Sequence, residues 1–199
     1  MFWNKISPVY DIFENVYNRK VYKGTGIKVA EFIDESDNVL ECACGTGAIT
    51  EEIAKKAQKV LATDFAEGML KRASRKCRKY GNVSFRQEDI TDIKCENERF
   101  DKAVAGNVIH LLPEPGKAIN ELLRVVRPGG KVIIPTYINM ARDSSGFAVK
   151  LIEKLGAEFK RQFDIDSYKK FFEEKGFKDA EYYVVDGRMP CAIAVITKK

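Results

Sequence analysis

The chain has 199 residues and a formal net charge of +5 at pH 7, with 45% hydrophobic and 32% charged residues, which predicts one globular domain with a sizeable core. No apolar run is long enough to cross a bilayer, and the first residues lack the basic and apolar regions of a secretory signal. The five cysteines are scattered without a C-x-x-C pair, which argues against a zinc site or a disulfide framework and favours the reducing cytoplasm.

Apolar, strand-like runs alternate with helical patterns through most of the chain. Five strands are predicted at NVLECAC, KVLATD, VSFRQED, FDKAVAGN and KVIIPTY. Helices are predicted at GAITEEIAKKA, AEGMLKRASRKCRKY and PGKAINELLRVV, the last of which is expected to end at Pro128 and the two glycines after it. This alternation predicts parallel β-α-β units, and therefore a doubly wound sheet that is covered on both faces.

The C-terminal part of the chain has a different pattern. The segment DIDSYKKFFEEKGF predicts a capped amphipathic helix that ends at Gly176, and two strands follow at AEYYVVDG and CAIAVITKK. Only RMP separates these two strands, which is too short for a crossover, so they are predicted to pair antiparallel. Residues 138–163 are predicted to be a helical lid insertion, and residues 1–34 to be helices that precede the sheet.

Taken together, these elements predict an α/β fold in a single domain over residues 1–199. The sheet is expected to be Rossmann-like, doubly wound and seven-stranded, mostly parallel with an antiparallel last strand. In such sheets ligands bind at the carboxyl ends of the strands, where the strand order reverses. The residues that follow each predicted strand are therefore the candidates for ligand contact.

Small residues follow the first strand, in the segment ECACGTG. Ala43, Gly45 and Gly47 lack bulky side chains, so a ligand can lie against the backbone. Asp64 ends the next strand, 19 residues after Gly45, which is the spacing at which this architecture binds ribose hydroxyls. Asp89 ends the third strand at the same edge of the sheet. The pattern predicts a ligand that contains a ribose.

The loop departs from the dinucleotide fingerprint G-x-G-x-x-G, because Thr50 occupies the place of the third glycine. Glu41 and Asp64 surround the site with acid, and the loop has no basic residue that could hold a pyrophosphate. An acidic rim suits a ligand with an ammonium and a sulfonium charge. This combination favours S-adenosylmethionine over a nicotinamide cofactor.

Five motifs stand in order along the chain: VLECACGTG, ATDFAEGML, QEDI, FDKAVAGNVIHLLPEP and LLRVVRPGGKVII. Together they resemble those of class I S-adenosylmethionine-dependent methyltransferases, in particular the small-molecule branch typified by ubiquinone and menaquinone C-methyltransferases. The N-terminal ISPVYD is similar to the segment that closes over the cofactor in that branch, so the helices of residues 1–34 are expected to lie over the cofactor. The resemblance covers nearly the whole chain and implies S-adenosylmethionine as methyl donor, S-adenosylhomocysteine as product and a small, apolar acceptor.

The resemblance also implies roles for individual residues. Glu41, Ala43 and Gly45 would face the methionine part of the cofactor, while Gly47 gives the turn into the helix. Asp64 would hold the ribose hydroxyls. Ala43 is a departure, because the family pattern has a glycine there. The other implied cofactor-binding residues, which border the adenine, the ribose or the methionine end, are Tyr10, Phe65, Met69, Asp89, Ile90 and Asn107.

Methyl transfer from a sulfonium is an in-line displacement, so proximity and orientation can supply much of the rate. A general base is needed only when the acceptor must lose a proton. His110, the only histidine, follows the fourth strand and is the candidate catalytic base, and the alternative is a structural histidine. Tyr137, which ends the fifth strand, is a second candidate. The acceptor pocket is predicted between these residues and the insertion, and no metal site is predicted.

A basic stretch, KRASRKCRKYG, contains Lys71, Arg72, Arg75, Lys76, Arg78 and Lys79. A nucleic-acid or anionic-membrane patch is one interpretation, and the solvated face of an amphipathic helix is the favoured one. An RNA methyltransferase, the first rival function, should carry a tetrad such as N-P-P-Y after the fourth strand, where this chain has NVIHLL. A non-catalytic cofactor-binding protein is the second rival. We expect a small-molecule partner and no specific nucleic acid, and the sequence leaves the oligomeric state open.

Overall fold

The computed structural model describes residues 18–138 and 161–199. Helices and strands alternate along the chain as far as β5, and the order then changes to one helix and two strands. The elements are α1 Arg19–Ala30, β1 Asn38–Cys42, α2 Ala48–Ala54, β2 Lys59–Asp64, α3 Glu67–Cys77, β3 Val83–Gln87, β4 Phe100–Ala105, α4 Pro115–Val125, β5 Val126–Tyr137, α5 Ile165–Glu173, β6 Glu181–Val185 and β7 Cys191–Thr197.

These seven strands form one sheet in the order β3-β2-β1-β4-β5-β7-β6. Strands β1 to β5 pair in parallel, whereas β7 runs antiparallel to both of its neighbours, β5 and β6. The predicted fold class and the antiparallel pairing of the last two strands are confirmed. Because the strand order reverses between β1 and β4, the carboxyl ends of these two strands form the switch point where ligands bind in such sheets.

The core lies on both faces of the sheet, as the apolar strands require. On one face Leu40 of β1 belongs to a buried cluster with Leu122 of α4 and Tyr168 of α5. On the other face Val39, the neighbouring residue of β1, belongs to a cluster with Val29 of α1 and residues of α2. Successive side chains of a strand point to opposite faces, so β1 is buried from both sides and is held rigidly beneath the switch point.

Two predicted helix ends differ from the structure. Helix α4 ends at Val125 rather than at Pro128, and β5 begins at once with Val126. A Cβ at Gly130 would lie 2.5 Å from the carbonyl oxygen of Asp101, so the glycine lets β5 approach β4 where their register shifts. Helix α5 ends at Glu173, and Gly176 follows it with a φ of +90°.

Parts of the predicted organisation fall outside the described residues. Of the helices expected within residues 1–34, the structure describes α1, and Tyr10 lies in the part that is not described. Most of the predicted lid, residues 139–160, also lies outside. In the two described ranges, no helix combines the length and the apolar composition needed to span a bilayer.

Candidate cofactor site

The loop between β1 and α2 is built from backbone conformations that favour glycine. Gly45 and Gly47 have φ angles of +55° and +84°, and Gly47 is the N-cap of α2. A Cβ at Gly47 would lie 3.0 Å from the Cα of Ala73 on α3, so this glycine permits close helix packing. A Cβ at Gly45 would meet no atom within 4 Å, so the space beside this glycine is open to a ligand.

Ala43 adopts the same left-handed region, with a φ of +54°. The methyl group of alanine makes this conformation unfavourable by about 1–2 kcal/mol relative to the right-handed one. The family pattern has glycine at this position, and the structure supplies the physical reason, because the turn requires a positive φ. Alanine is therefore tolerated here with strain.

Asp64, at the end of β2, holds the glycine loop in place. Its Oδ2 accepts a hydrogen bond from the Gly45 N–H at 2.9 Å, and its Oδ1 accepts one from the Ala66 N–H at 2.8 Å. Burial raises the pKa of this carboxyl, although the two N–H groups oppose that shift. Each carboxylate oxygen can accept a further bond, so ribose hydroxyls could bind the same group.

Glu41 is a buried acid with unmet hydrogen-bonding capacity. Its side chain is in the cavity wall with only 1% of its surface exposed, and Oε2 has no hydrogen-bond partner among the residues that the structure describes. Burial raises the pKa of this carboxyl to about 8, and the nearby charge of Asp64 adds to the shift. A buried acceptor without a partner is unfavourable, so a cationic ligand group here would be strongly stabilised.

These residues surround a cavity of about 310 Å³ at the carboxyl ends of β1, β2, β3 and β4. Nine of the predicted cofactor residues line it: Glu41, Ala43, Gly45, Asp64, Phe65, Met69, Asp89, Ile90 and Asn107. Gly47 lies beneath the loop instead and packs on α3. No lysine or arginine of the described ranges lines this cavity, which disfavours a pyrophosphate-containing ligand.

Apolar side chains mark one end of the cavity. Phe65 is 54% exposed, which is unusual for a large apolar residue, whereas Met69 and Ile90 are buried. Asp89 accepts bonds from the Thr91 N–H at 2.8 Å and the Thr91 hydroxyl at 2.7 Å, both through Oδ1. Its Oδ2 has no hydrogen-bond partner in the described ranges and could accept from an exocyclic amine. This end suits a planar base such as adenine.

The opposite side of the cavity follows β4 and β5. The Oδ1 of Asn107 accepts the Tyr137 N–H at 2.9 Å, and the Asn107 N–H donates to the Pro135 carbonyl at 2.8 Å. Asn107 thus ties the ends of β4 and β5 together, with a φ of +53°. The remaining wall on this side consists of Val108, Leu111, Leu112 and Tyr137.

The structure does not support His110 as a base in this cavity. Its side chain is buried and is not part of the cavity wall. Burial lowers the pKa of the imidazole to about 4, so it is neutral and weakly basic near pH 7. The structural alternative fits this geometry better, because the ring is buried outside the cavity wall. Tyr137, the second candidate, does line the cavity.

Other residues line the cavity that the sequence did not predict, and three of them are polar residues outside the glycine loop: Tyr22, Thr25 and Glu88. Tyr22 and Thr25 reach the cavity from α1, and the Tyr22 hydroxyl lies 3.1 Å from the hydroxyl of Thr46 in the glycine loop. The buried hydroxyl of Thr25 has no hydrogen-bond partner in the described residues. Glu88 precedes Asp89, and both oxygens of its carboxylate accept from Arg86, at 2.8 and 3.0 Å. Residues 1–34 are predicted to lie over the cofactor, but the helical pattern of α1 does not single out Tyr22 and Thr25.

The hydrogen-bond acceptors and the open backbone of the cavity fit S-adenosylmethionine. The acids Glu41 and Asp64 suit an ammonium and two ribose hydroxyls, and Gly45 leaves room beside the backbone. No group of histidine, cysteine, aspartate or glutamate in the described part of the chain could hold a metal ion. The geometry therefore agrees with the cofactor that the motifs imply.

Comparison with known proteins finds methyltransferases. A family model described as a methyltransferase domain matches residues 40–134. The ubiquinone/menaquinone biosynthesis C-methyltransferase of Bdellovibrio bacteriovorus is 33% identical over 143 residues, which cover 66% of this chain and 58% of that protein. The demethylmenaquinone methyltransferase of Staphylococcus carnosus is 26% identical over 204 residues, covering 90% and 84%.

Residues 40–134 therefore form a methyltransferase domain.

Solved methyltransferases share its fold. A SAM-dependent methyltransferase of Aquifex aeolicus matches with a TM-score of 0.71 and 20% identity, covering 99% of this chain and 98% of that one. The magnesium protoporphyrin IX methyltransferase of Synechocystis, solved with S-adenosylhomocysteine, matches with a TM-score of 0.68 and 17% identity, covering 93% and 88%. The first three curated relatives are matched over 40%, 58% and 53% of their own lengths, so this methyltransferase domain spans about half of them.

Proposed function

We propose that this chain binds S-adenosylmethionine and transfers its methyl group to a carbon atom of a small, apolar acceptor, with a quinol ring of the demethylmenaquinone type as the first candidate. The observation that carries the proposal is the division of the cavity. Acidic groups and glycine backbone line one part, and Val108, Leu111 and Leu112 line the other. Two relatives named for quinone methylation support this acceptor class.

Each residue of the first part would hold one portion of the cofactor. Glu41 would accept hydrogen bonds from the ammonium, Asp64 would accept them from the ribose hydroxyls, and Phe65 would pack against the adenine. When bound, S-adenosylmethionine supplies a methyl group on a sulfonium, which is an electrophile with a good leaving group. The protein's contribution is to fix the direction in which that methyl group points.

The acceptor would lie on the side of Asn107 and Tyr137, because the cofactor residues occupy the ends of β1, β2 and β3. The apolar wall there would exclude water and hold an aromatic ring by burying its faces. We assign these residues a positioning role, and Tyr137 is the one hydroxyl-bearing side chain on this wall among the described residues. The five free cysteines suit a reducing compartment, and we place the activity in the cytoplasm.

Turnover with a defined acceptor tests the proposal. The full chain would be incubated with methyl-labelled S-adenosylmethionine and a short-chain naphthoquinol that lacks a ring methyl, and the product would be identified by mass spectrometry. A ring-methylated product that depends on Asp64 supports the proposal. Methylation of ribosomal or transfer RNA in its place would favour the RNA methyltransferase. Cofactor binding without transfer to any of a panel of quinols would favour the non-catalytic alternative.

A further inference from the structure

Two helices on the same face of the sheet are strongly basic. Helices α1 and α3 together contain eight basic residues and one acidic residue, for a net charge of +7. Helices α4 and α5, which belong to the other face, together contain four basic and three acidic residues, for a net charge of +1. Helix α2 belongs to the same face as α1 and α3 and contains Glu51 and Glu52 without a basic residue, so the three helices of this face have a net charge of +5, against +1 for α4 and α5.

The two basic helices touch each other beside the cavity. The Nζ of Lys76 on α3 donates to the Tyr22 hydroxyl on α1 at 3.2 Å, and Tyr22 is part of the cavity wall. Thr25 of α1 and Met69 of α3 line the same cavity. The basic surface, defined here as the exposed residues of α1 and α3 together with Arg78, therefore borders the place where the cofactor would bind.

Several cations of the basic surface are not neutralised by neighbours. Within the ranges that the structure describes, no salt bridge involves these exposed residues: Arg19, Lys20, Lys23, Arg75 and Arg78. Lys71 is paired with Glu67 at 2.7 Å, but both side chains are more than 60% exposed, so that pair contributes little. An anionic partner could therefore engage five cations without first breaking an internal salt bridge.

One apolar side chain accompanies these charges. Ile27 is 46% exposed and lies on the same side of α1 as Lys20 and Lys23, since residues at i, i+3 and i+7 share a helix face. Within α1 and α3 the single aromatic residue is Tyr22, which is committed to the cavity wall. A single-stranded nucleic acid would need exposed aromatic side chains on which its bases could stack. Lipid needs only cations and a small apolar contact.

The geometry points to the basic surface of α1 and α3 as a docking face for an anionic phospholipid bilayer. The inference rests on the proposed function, because an apolar acceptor would partition from water into a bilayer. Docking through α1 and α3 would bring the cofactor side of the cavity next to the lipid surface.

Vesicle binding by the full chain tests the inference directly. Sedimentation would compare vesicles of phosphatidylcholine with vesicles that contain about 30% phosphatidylglycerol, at about 0.1 M and about 0.5 M salt. We expect binding only to the anionic vesicles and its loss at the higher salt concentration. The variant Lys20→Glu/Lys23→Glu/Arg75→Glu/Arg78→Glu should lose at least about tenfold in partitioning, since each cation near a bilayer contributes appreciably.

A matched control changes two exposed lysines on the other side of the molecule, Lys169→Glu and Lys178→Glu, and should leave vesicle binding nearly unchanged. Equal loss in the control and in the basic-surface double variant Arg75→Glu/Arg78→Glu would overturn the inference, as would binding to neutral vesicles alone. Stronger binding of this surface to RNA than to anionic vesicles would also overturn it. The basic-surface variant should retain turnover of a soluble short-chain quinol, so that a failure of the proposed chemistry is seen separately.

Discussion

The Oδ2 atom of Asp64 accepts the backbone N–H of Gly45 at 2.9 Å, so the acid that ends β2 holds the glycine loop that follows β1. A single side chain thereby links two neighbouring strand ends at the switch point of the sheet. The same carboxylate is the group that the family resemblance assigns to the ribose. Its function would thus be to shape the loop and to bind the ligand.

Replacing Asp64 should therefore weaken cofactor binding and loosen the loop. We expect Asp64→Ala to reduce the affinity for S-adenosylhomocysteine by about 1.5–3 kcal/mol, the scale of hydrogen bonds to a charged group. Asp64→Asn keeps one acceptor oxygen and should lose less. Titration calorimetry on the three proteins measures this order, and equal affinities would show that Asp64 does not touch the ligand.

Gly45 and Gly47 should respond differently to a methyl group, because one faces open space and the other faces α3. Gly45→Ala should lower the free energy of unfolding by about 1–2 kcal/mol through backbone strain alone, and it should lower cofactor affinity by at least about tenfold. Gly47→Ala should destabilise the fold further, because overpacking against Ala73 adds about 1–3 kcal/mol to the same strain. Denaturant unfolding and ligand titration on both variants separate the two effects, and the reverse pattern would contradict the assignment.

Ala43→Gly should stabilise the protein, because alanine at a φ of +54° is strained. Relief of about 1–2 kcal/mol is partly offset by the larger entropy that glycine loses on folding, about 0.5–1 kcal/mol. A net gain of about 0.5–1 kcal/mol in the free energy of unfolding is expected. Urea denaturation measures it. A loss of stability in the glycine variant would mean that the Ala43 methyl contributes more by packing than its backbone strain costs.

Cofactor binding should strengthen as the pH rises, because Glu41 must lose a proton to bind the ammonium. Its pKa in the ligand-free protein is about 8, and it must be ionised to hold an ammonium, so binding near pH 7 should release about one proton. Affinity should rise about tenfold from pH 6 to pH 7. Calorimetry in buffers of different ionisation enthalpy counts the protons, and Glu41→Gln should abolish the release.

The same shift has a consequence for the stability of the ligand-free protein. The folded-state pKa of Glu41 lies above the ordinary value of 4.5, so the folded state binds the extra proton between these values. The contribution of Glu41 to the free energy of unfolding is therefore greatest below about pH 4.5, and this contribution is lost as the pH rises through 8. Glu41→Gln should unfold with a flatter pH dependence over that window, and an unchanged slope would exclude Glu41 as its source.

The alternation of strands and helices was enough to predict the sheet, because periodicity and turn residues are local properties. It could not predict that β7 inserts between β5 and β6, since antiparallel pairing of two strands leaves their place in the sheet open. For the same local reason, nine of the predicted cofactor residues line the cavity. Tyr22 could not be predicted, because it reaches the cavity only through the packing of α1 against the loop.

His110 shows the limit of such patterns. Its position after β4 predicted the edge of the sheet, but its side chain is buried and does not line the cavity, and a sequence pattern in a loop does not show which way a ring turns. Glu88 was not predicted beside Asp89, although both residues line the cavity. Alternation along a strand predicts that only one of two neighbouring side chains faces a given site.

The most direct test of the central claim is calorimetric titration of the wild-type chain with S-adenosylhomocysteine and, separately, with NAD. The described wall of the cavity contains acids and no lysine or arginine, which predicts saturable binding of S-adenosylhomocysteine and no measurable binding of NAD. The affinity for S-adenosylhomocysteine should fall at least about tenfold in Asp64→Ala. Saturable NAD binding with none for S-adenosylhomocysteine would contradict it.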